Sequence, residues 1–248
     1  MRFKARIDGV HFSSKECKLL GGFYGAAGET PRPTVILLHG VPGVEKNLDL
    51  AYALRDAGWN VLYFHYRGSW GSEGNYSLNG ILDDVEAAMD WVLGQTSVDK
   101  ERIALAGNSI GGYATLAAGA ADLRFEALAS LCPLIDPVDA PLREETANEF
   151  VSILHAVTAR QLQEQWARLP SVLTMVEQLR NRKILMVTAD QDEFFPPSHY
   201  EEIVRRLPEL RWHRFPEADH SFCAYRRPLV EIVVRWLNEV NGTLGLDS

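Results

Sequence analysis

The sequence predicts an α/β fold: a mostly parallel sheet with helices on both faces. Three observations carry that expectation. Continuous apolar runs at Thr34–Leu38, Val61–Phe64 and Ile103–Ala106 suit strands covered on both sides. Between and after them, apolar residues recur at helical spacing, as in Leu82, Val85, Ala88, Met89 and Val92 within a helix predicted over Leu78–Leu93. The run Arg102–Ala106 then passes through Gly107-Asn108-Ser109-Ile110-Gly111 into Gly112–Leu116, which reads as strand, tight turn and helix. With 248 residues, 46% of them hydrophobic, the chain can build one substantial core, so a single domain over 1–248 is expected.

Each element follows in order. Phe3–Phe12 and Lys18–Tyr24 read as short antiparallel strands bounded by polar or glycine-containing turns. After Pro31 and Pro33 come the strand Thr34–Leu38, a helix around Asn47–Ala57 and the strand Val61–Phe64. The helix Leu78–Leu93, the strand Ile103–Ala106 and a helix Ser109–Ala121 continue the rhythm. Later strands are expected at Ala127–Leu131, Lys183–Thr188 and Trp212–Phe215, with helices at His199–Leu207 and Leu229–Val240. Between Arg143 and Asn181 the rhythm breaks into one helix through Phe150, Leu154, Val157 and Leu162 and another through Val172, Met175, Val176 and Leu179. That stretch is long for a loop and short for a domain, so a helical cap insertion over about 138–182 is expected.

Composition narrows the partners. With 33 Asp plus Glu against 25 Lys plus Arg, the formal charge of −8 disfavours nucleic acid as a partner. Cys17, Cys132 and Cys223 cannot all pair and form no C-x-x-C unit, so they read as small hydrophobes rather than a metal or redox site. Met1–His11 has no signal-peptide core, and no apolar run is long enough to span a membrane. A cytoplasmic location follows as an expectation. Arg67 can recognise a carboxylate or pair within the fold, and His155 on the cap can face substrate or solvent. The glycines of Gly68–Gly74 lack the Lys-Ser/Thr ending of a phosphate loop.

The turn at Ser109 carries the chemistry. Small residues two before and two after the serine let strand and helix cross closely, and the helix start favours developing negative charge. A serine hydroxyl must lose its proton to attack, which calls for a histidine base oriented by a carboxylate. His220, after the last expected strand, suits the base. Asp190 and Asp192 both follow the strand at Lys183–Thr188, and Asp136 follows the strand before it.

Five ordered segments resemble the α/β-hydrolases, and in particular single-domain serine esterases and the catalytic domains of prolyl-oligopeptidase-type enzymes. Leu38-His39-Gly40-Val41-Pro42-Gly43 resembles the H-G oxyanion loop, and Tyr66–Gly74 the R-G-x-G-x-S-x-G segment. Gly107–Gly112 resembles the nucleophile elbow, Ala189–Asp192 the G-x-x-D acid loop with alanine for glycine, and Asp219-His220-Ser221-Phe222 the histidine loop. The resemblance implies a catalytic triad of Ser109, Asp192 and His220 in that chain order, with Asp190 and Asp136 as alternative acids. It implies an oxyanion hole made by the Ile110 and Val41 amides, since Pro42 has none to offer. The expected activity is hydrolysis of a small-molecule carboxylic ester through an acyl-enzyme, with no metal or organic cofactor implied. A peptidase or thioesterase using the same triad, or a non-catalytic binding protein of this fold, are the alternatives.

Overall fold

The computed structural model describes residues 2–242. The two N-terminal strands, β1 (Arg6–Ser14) and β2 (Cys17–Gly25), form an antiparallel hairpin along one edge. The chain then enters β3 (Arg32–Leu38), α1 (Leu48–Asp56), β4 (Asn60–Phe64), α2 (Ile81–Leu93), β5 (Val98–Asn108), α3 (Ile110–Ala121) and β6 (Phe125–Leu131). After an insertion it resumes with β7 (Lys183–Ala189), α7 (Ser198–Arg206), β8 (Arg211–Phe215) and α8 (Arg226–Val240). The eight strands lie in the order β1-β2-β4-β3-β5-β6-β7-β8. β2 is antiparallel to β4, and every pairing from β4 through β8 is parallel.

The apolar runs are continuous because both faces of the sheet are covered. Ile36, Leu38, Leu62, Phe64, Leu105, Leu128 and Met186 pack with α2, α3 and α7 through Val85, Met89, Leu116 and Ile203. Their alternating neighbours Val35, Leu37, Val61, Ala104, Ala106, Leu185 and Val187 pack with α1 and α8 through Leu50, Leu54, Val233 and Leu237. Each such aliphatic side chain contributes on the order of 2 kcal/mol by leaving water, set against the entropy of ordering it. On α2, Ile81 takes an inward position and Leu82 is half-exposed, one residue off the expected stripe.

The insertion between β6 and β7 holds α4 (Glu144–Val151), α5 (Ala159–Ala167), a 3-10 turn at Val172–Met175 and α6 (Val176–Leu179). The single helix expected through Phe150 to Leu162 is two helices. Ala156 adopts φ +53°, and the backbone of His155 is diverted to Gly68 and Tyr76 by hydrogen bonds of 2.8 and 2.9 Å. α5 then restarts on a capping box: Thr158 accepts from the Gln161 amide while the Gln161 side chain accepts from Thr158 N–H. Among the described residues no helix is long and apolar enough to cross a membrane.

Candidate active site

Ser109 sits at the turn between β5 and α3 with φ +57° and ψ −120°, a conformation costly for a residue with a side chain. Two tight crossings hold it there. A Cβ on Gly107 would come within 2.4 Å of the Gly111 carbonyl oxygen, and one on Gly111 within 2.3 Å of the Leu38 carbonyl oxygen. Ser109 N–H donates to Leu131 O and its carbonyl accepts from Tyr113 N–H, both at 2.9 Å. The strained apex is thus pinned from the next strand and from its own helix.

The loops after β7 and β8 bring a carboxylate and an imidazole to the same sheet edge. His220 Nδ1 donates to Asp192 Oδ2 at 2.7 Å. Asp192 Oδ1 accepts from Phe194 N–H and Phe195 N–H at 2.8 and 2.9 Å, so its second oxygen is left for the ring. A carboxylate facing Nδ1 fixes the proton there and leaves Nε2 as an acceptor. Phe194 and Phe195 meet the imidazole in T-shaped contacts, with centroids 4.8 and 5.3 Å away.

Ser109 and His220 line one cavity of about 500 Å³. No direct hydrogen bond joins them among the described residues, as is common before substrate binds. The other acids point elsewhere. Asp190 pairs with Arg214 through two bonds of 3.0 and 2.7 Å, and Asp136 accepts from Val138 N–H at 2.8 Å to close a turn.

The loop after β3 lies directly against the serine: a Cβ on Gly40 would be 3.0 Å from Ser109 Cβ. His39 Nδ1 donates to Gly40 O at 2.7 Å, and Trp70 Nε1 donates to Pro42 O at 2.8 Å, so both ends of Gly40–Pro42 are braced. Burial is the main reason the His39 imidazole is lowered to about 4, which keeps it neutral near pH 7. The Val41 amide makes no hydrogen bond among the described residues, and the Ile110 amide, first in α3, has no partner within the helix. Ile110 follows the serine in sequence, and Val41 lines the same cavity one residue beyond Gly40.

The helical insertion contributes Thr146 and Phe150 of α4 and Trp166 of α5 to the cavity lining, beside Phe194 and Phe195. Trp166 stacks near Phe195 and anchors its indole N–H on Ala140 O at 2.8 Å. Arg67 turns out to be a fold residue, bound to the buried Asp84 by bonds of 2.6 and 3.0 Å. His155 likewise staples the glycine-rich loop, its Nδ1 lying 3.0 Å from Gly74 O.

One residue read from sequence only as a small hydrophobe belongs to this site. Cys132, at φ +39° after β6, is fully buried, and its Sγ lies within 4.8 Å of ligand atoms of Asp192 and His220. These three could in principle hold a metal ion. The chemistry of the set does not suit one: Nδ1 already serves Asp192, and burial, then the facing Asp192 charge, pushes the thiol well up and keeps it protonated. Nothing in the sequence pattern signalled this contact, because β6 and β7 meet only through the sheet.

The family model described as the prolyl oligopeptidase family matches residues 47–243. The uncharacterized protein YfhR of Salmonella typhimurium is 34% identical over 141 residues, 53% of this chain and 48% of that protein. The quorum-quenching protein AidA of Acinetobacter baumannii is 31% identical over 139 residues, 54% of this chain and 45% of its own. The aligned chain thus spans about half the length of these curated relatives. Among solved structures, Est1E from Butyrivibrio proteoclasticus with ferulic acid bound superposes with a TM-score of 0.78 at 19% identity, covering 94% of this chain and 99% of that one. A Pyrococcus furiosus esterase does so at 0.77 and 17%, covering 96% and 92%. These likenesses show the fold. With residues 47–243, most of the chain, matched by that family model, the chain belongs to the prolyl oligopeptidase family, and its architecture is that of the α/β-hydrolase fold.

Proposed function

We propose that this protein is a serine hydrolase that cleaves a small carboxylic ester through an acyl-enzyme. The observation that carries the reading is that the Asp192-oriented imidazole and the strained Ser109 open on one cavity. Ser109 Oγ attacks the carbonyl carbon while its proton passes to His220 Nε2. The carbonyl oxygen becomes an oxyanion that accepts from the Ile110 and Val41 N–H groups. Preorganised donors of this kind contribute on the order of 3 kcal/mol each in the transition state. The intermediate collapses, His220 returns the proton to the departing alkoxide oxygen, and an alcohol leaves. Water then attacks the acyl carbon, giving its proton to His220, and the acid is released as Ser109 recovers its own. Asp192 holds the ring and stabilises the imidazolium throughout.

The cavity wall supports an apolar or aromatic group on the substrate, since Phe150, Trp166, Phe194 and Phe195 line the cavity on which the serine opens. A second reading is amide cleavage by the same residues, favoured by the match to a family of peptidases. Intact-protein mass spectrometry after treatment with a fluorophosphonate tests the nucleophile. One phosphonyl adduct is expected on the parent and none on a folded Ser109→Ala variant; a parent that takes no adduct overturns the proposal. Parallel turnover of p-nitrophenyl butyrate and of peptide p-nitroanilides separates the two readings.

A further inference from the structure

The loops that carry Ser109 and His220 are tied together by a chain of polar groups, its two asparagines buried and its arginine half-buried, that the chemistry above does not use. Arg226, the first residue of α8, donates from Nη2 to Asn47 Oδ1 at 2.9 Å. Asn47 Nδ2 donates in turn to Asn108 Oδ1 at 2.8 Å, and Asn108 immediately precedes the serine. The same guanidinium donates from Nη1 to Ser221 O at 3.3 Å, next to His220. Asp49 anchors it through two bonds of 2.9 and 2.6 Å.

The direction of this chain is fixed by chemistry. A guanidinium only donates, so Asn47 must turn its oxygen to Arg226 and its NH2 to Asn108. Asn108 must then present its oxygen to Asn47, which leaves its Nδ2 facing the oxyanion loop, 3.1 Å from where a Gly40 Cβ would lie. One cation therefore orients two amides: it touches the loops before α1 and after β8 directly and reaches the Ser109 turn through Asn47. Asn47 is fully buried at φ +53° and stands at the N-cap of α1, yet its side chain makes no capping bond. An asparagine there would ordinarily satisfy the helix's first amides. Here it is committed to the loops instead.

We propose that Arg226, acting through Asn47, is the positioning residue that sets the distance between Ser109 and His220. This rests on the serine-hydrolase reading for its kinetic consequence, while its structural consequence does not. Asn47→Gly is the cleanest probe, because glycine accepts the positive φ that Asn47 holds. Arg226→Met keeps the stem and removes the donors. In p-nitrophenyl butyrate turnover, each variant is expected to lose kcat by roughly 10- to 100-fold, the range for a misplaced catalytic group, with KM within about twofold. The double variant should be no worse than the more severe single, since both cut one chain. Arg227→Met, which removes an exposed pair with Glu231, should match the parent. Hydrogen–deuterium exchange gives a second reading independent of turnover: uptake across residues 219–222 should rise in Asn47→Gly, although that segment is remote in sequence. A loss confined to KM, additive losses in the double variant, or unchanged exchange at 219–222 in folded Asn47→Gly would each overturn the proposal. Should the parent show no turnover, the ester-hydrolysis reading falls and the exchange result alone decides the tie between the loops.

Discussion

Replacing Asp192 by asparagine should switch the proposed base off while leaving its shape intact. Phe194 and Phe195 N–H groups pin one oxygen of residue 192 at 2.8 and 2.9 Å, and being donors they will keep the amide oxygen there. The new NH2 must then occupy the place of Oδ2, 2.7 Å from His220 Nδ1. Two donors cannot face each other, so the imidazole adopts the other tautomer. Nδ1 accepts, and Nε2 carries a hydrogen into the cavity where it should have taken one. The expected loss in kcat for a wrong-tautomer histidine is about 10⁴-fold, or about 5 kcal/mol of barrier. The number of hydrogen bonds at residue 192 is preserved, so thermal stability should change by no more than a few degrees. Ester turnover measured from pH 7 to 10 checks this, with residual activity rising as hydroxide replaces the missing base. A folded Asp192→Asn variant that keeps more than about a tenth of parental kcat at pH 7 would refute the assigned tautomer logic.

Two further predictions concern the frame. His39 is buried and neutral with its imidazole lowered from 6.5 to about 4, so the unfolded chain holds a proton there that the folded chain lacks between those values. Stability is therefore full above pH 6.5 and falls as pH drops toward 4, by up to about 3 kcal/mol from this group; urea unfolding of parent and His39→Gln across that window should show a flatter dependence in the variant, and parallel curves would count against it. Gly111→Ala would drive a Cβ to 2.3 Å from Leu38 O and 2.7 Å from His39 O, both backbone atoms where β3 runs into the Gly40 loop. It should cost about 3 kcal/mol or more, read as a lower urea midpoint at unchanged slope, and an unaltered midpoint would show that the elbow can open.

Much of the fold was legible because doubly covered strands and helical stripes write themselves into local sequence. The runs at Thr34–Leu38 and Val61–Phe64 read as strands covered on both faces, and both lie buried in the sheet as β3 and β4. The cap was less legible: Phe150 to Leu162 carries a helical period, and only the pull of Gly68 and Tyr76 on His155 breaks it in two. The capping box at Thr158 and Gln161 was the local signal that could have shown the restart.

At the site, local sequence was enough to single out Ser109, since the crossing at Gly107 and Gly111 is a property of neighbouring residues. Position along the chain did not by itself separate Asp190 from Asp192 as the partner of His220, because both leave β7 at the same edge, and only the resemblance to the acid loop favoured Asp192. That depended on which one the β8 strand and its loop would meet: Arg214 draws Asp190 outward, and His220 takes Asp192. Cys132 behind Asp192 and the Arg226–Asn47–Asn108 tie were equally invisible. Short-range patterns determine what a segment can become, whereas which distant polar groups meet is decided only when the sheet is assembled and each buried donor must find an acceptor.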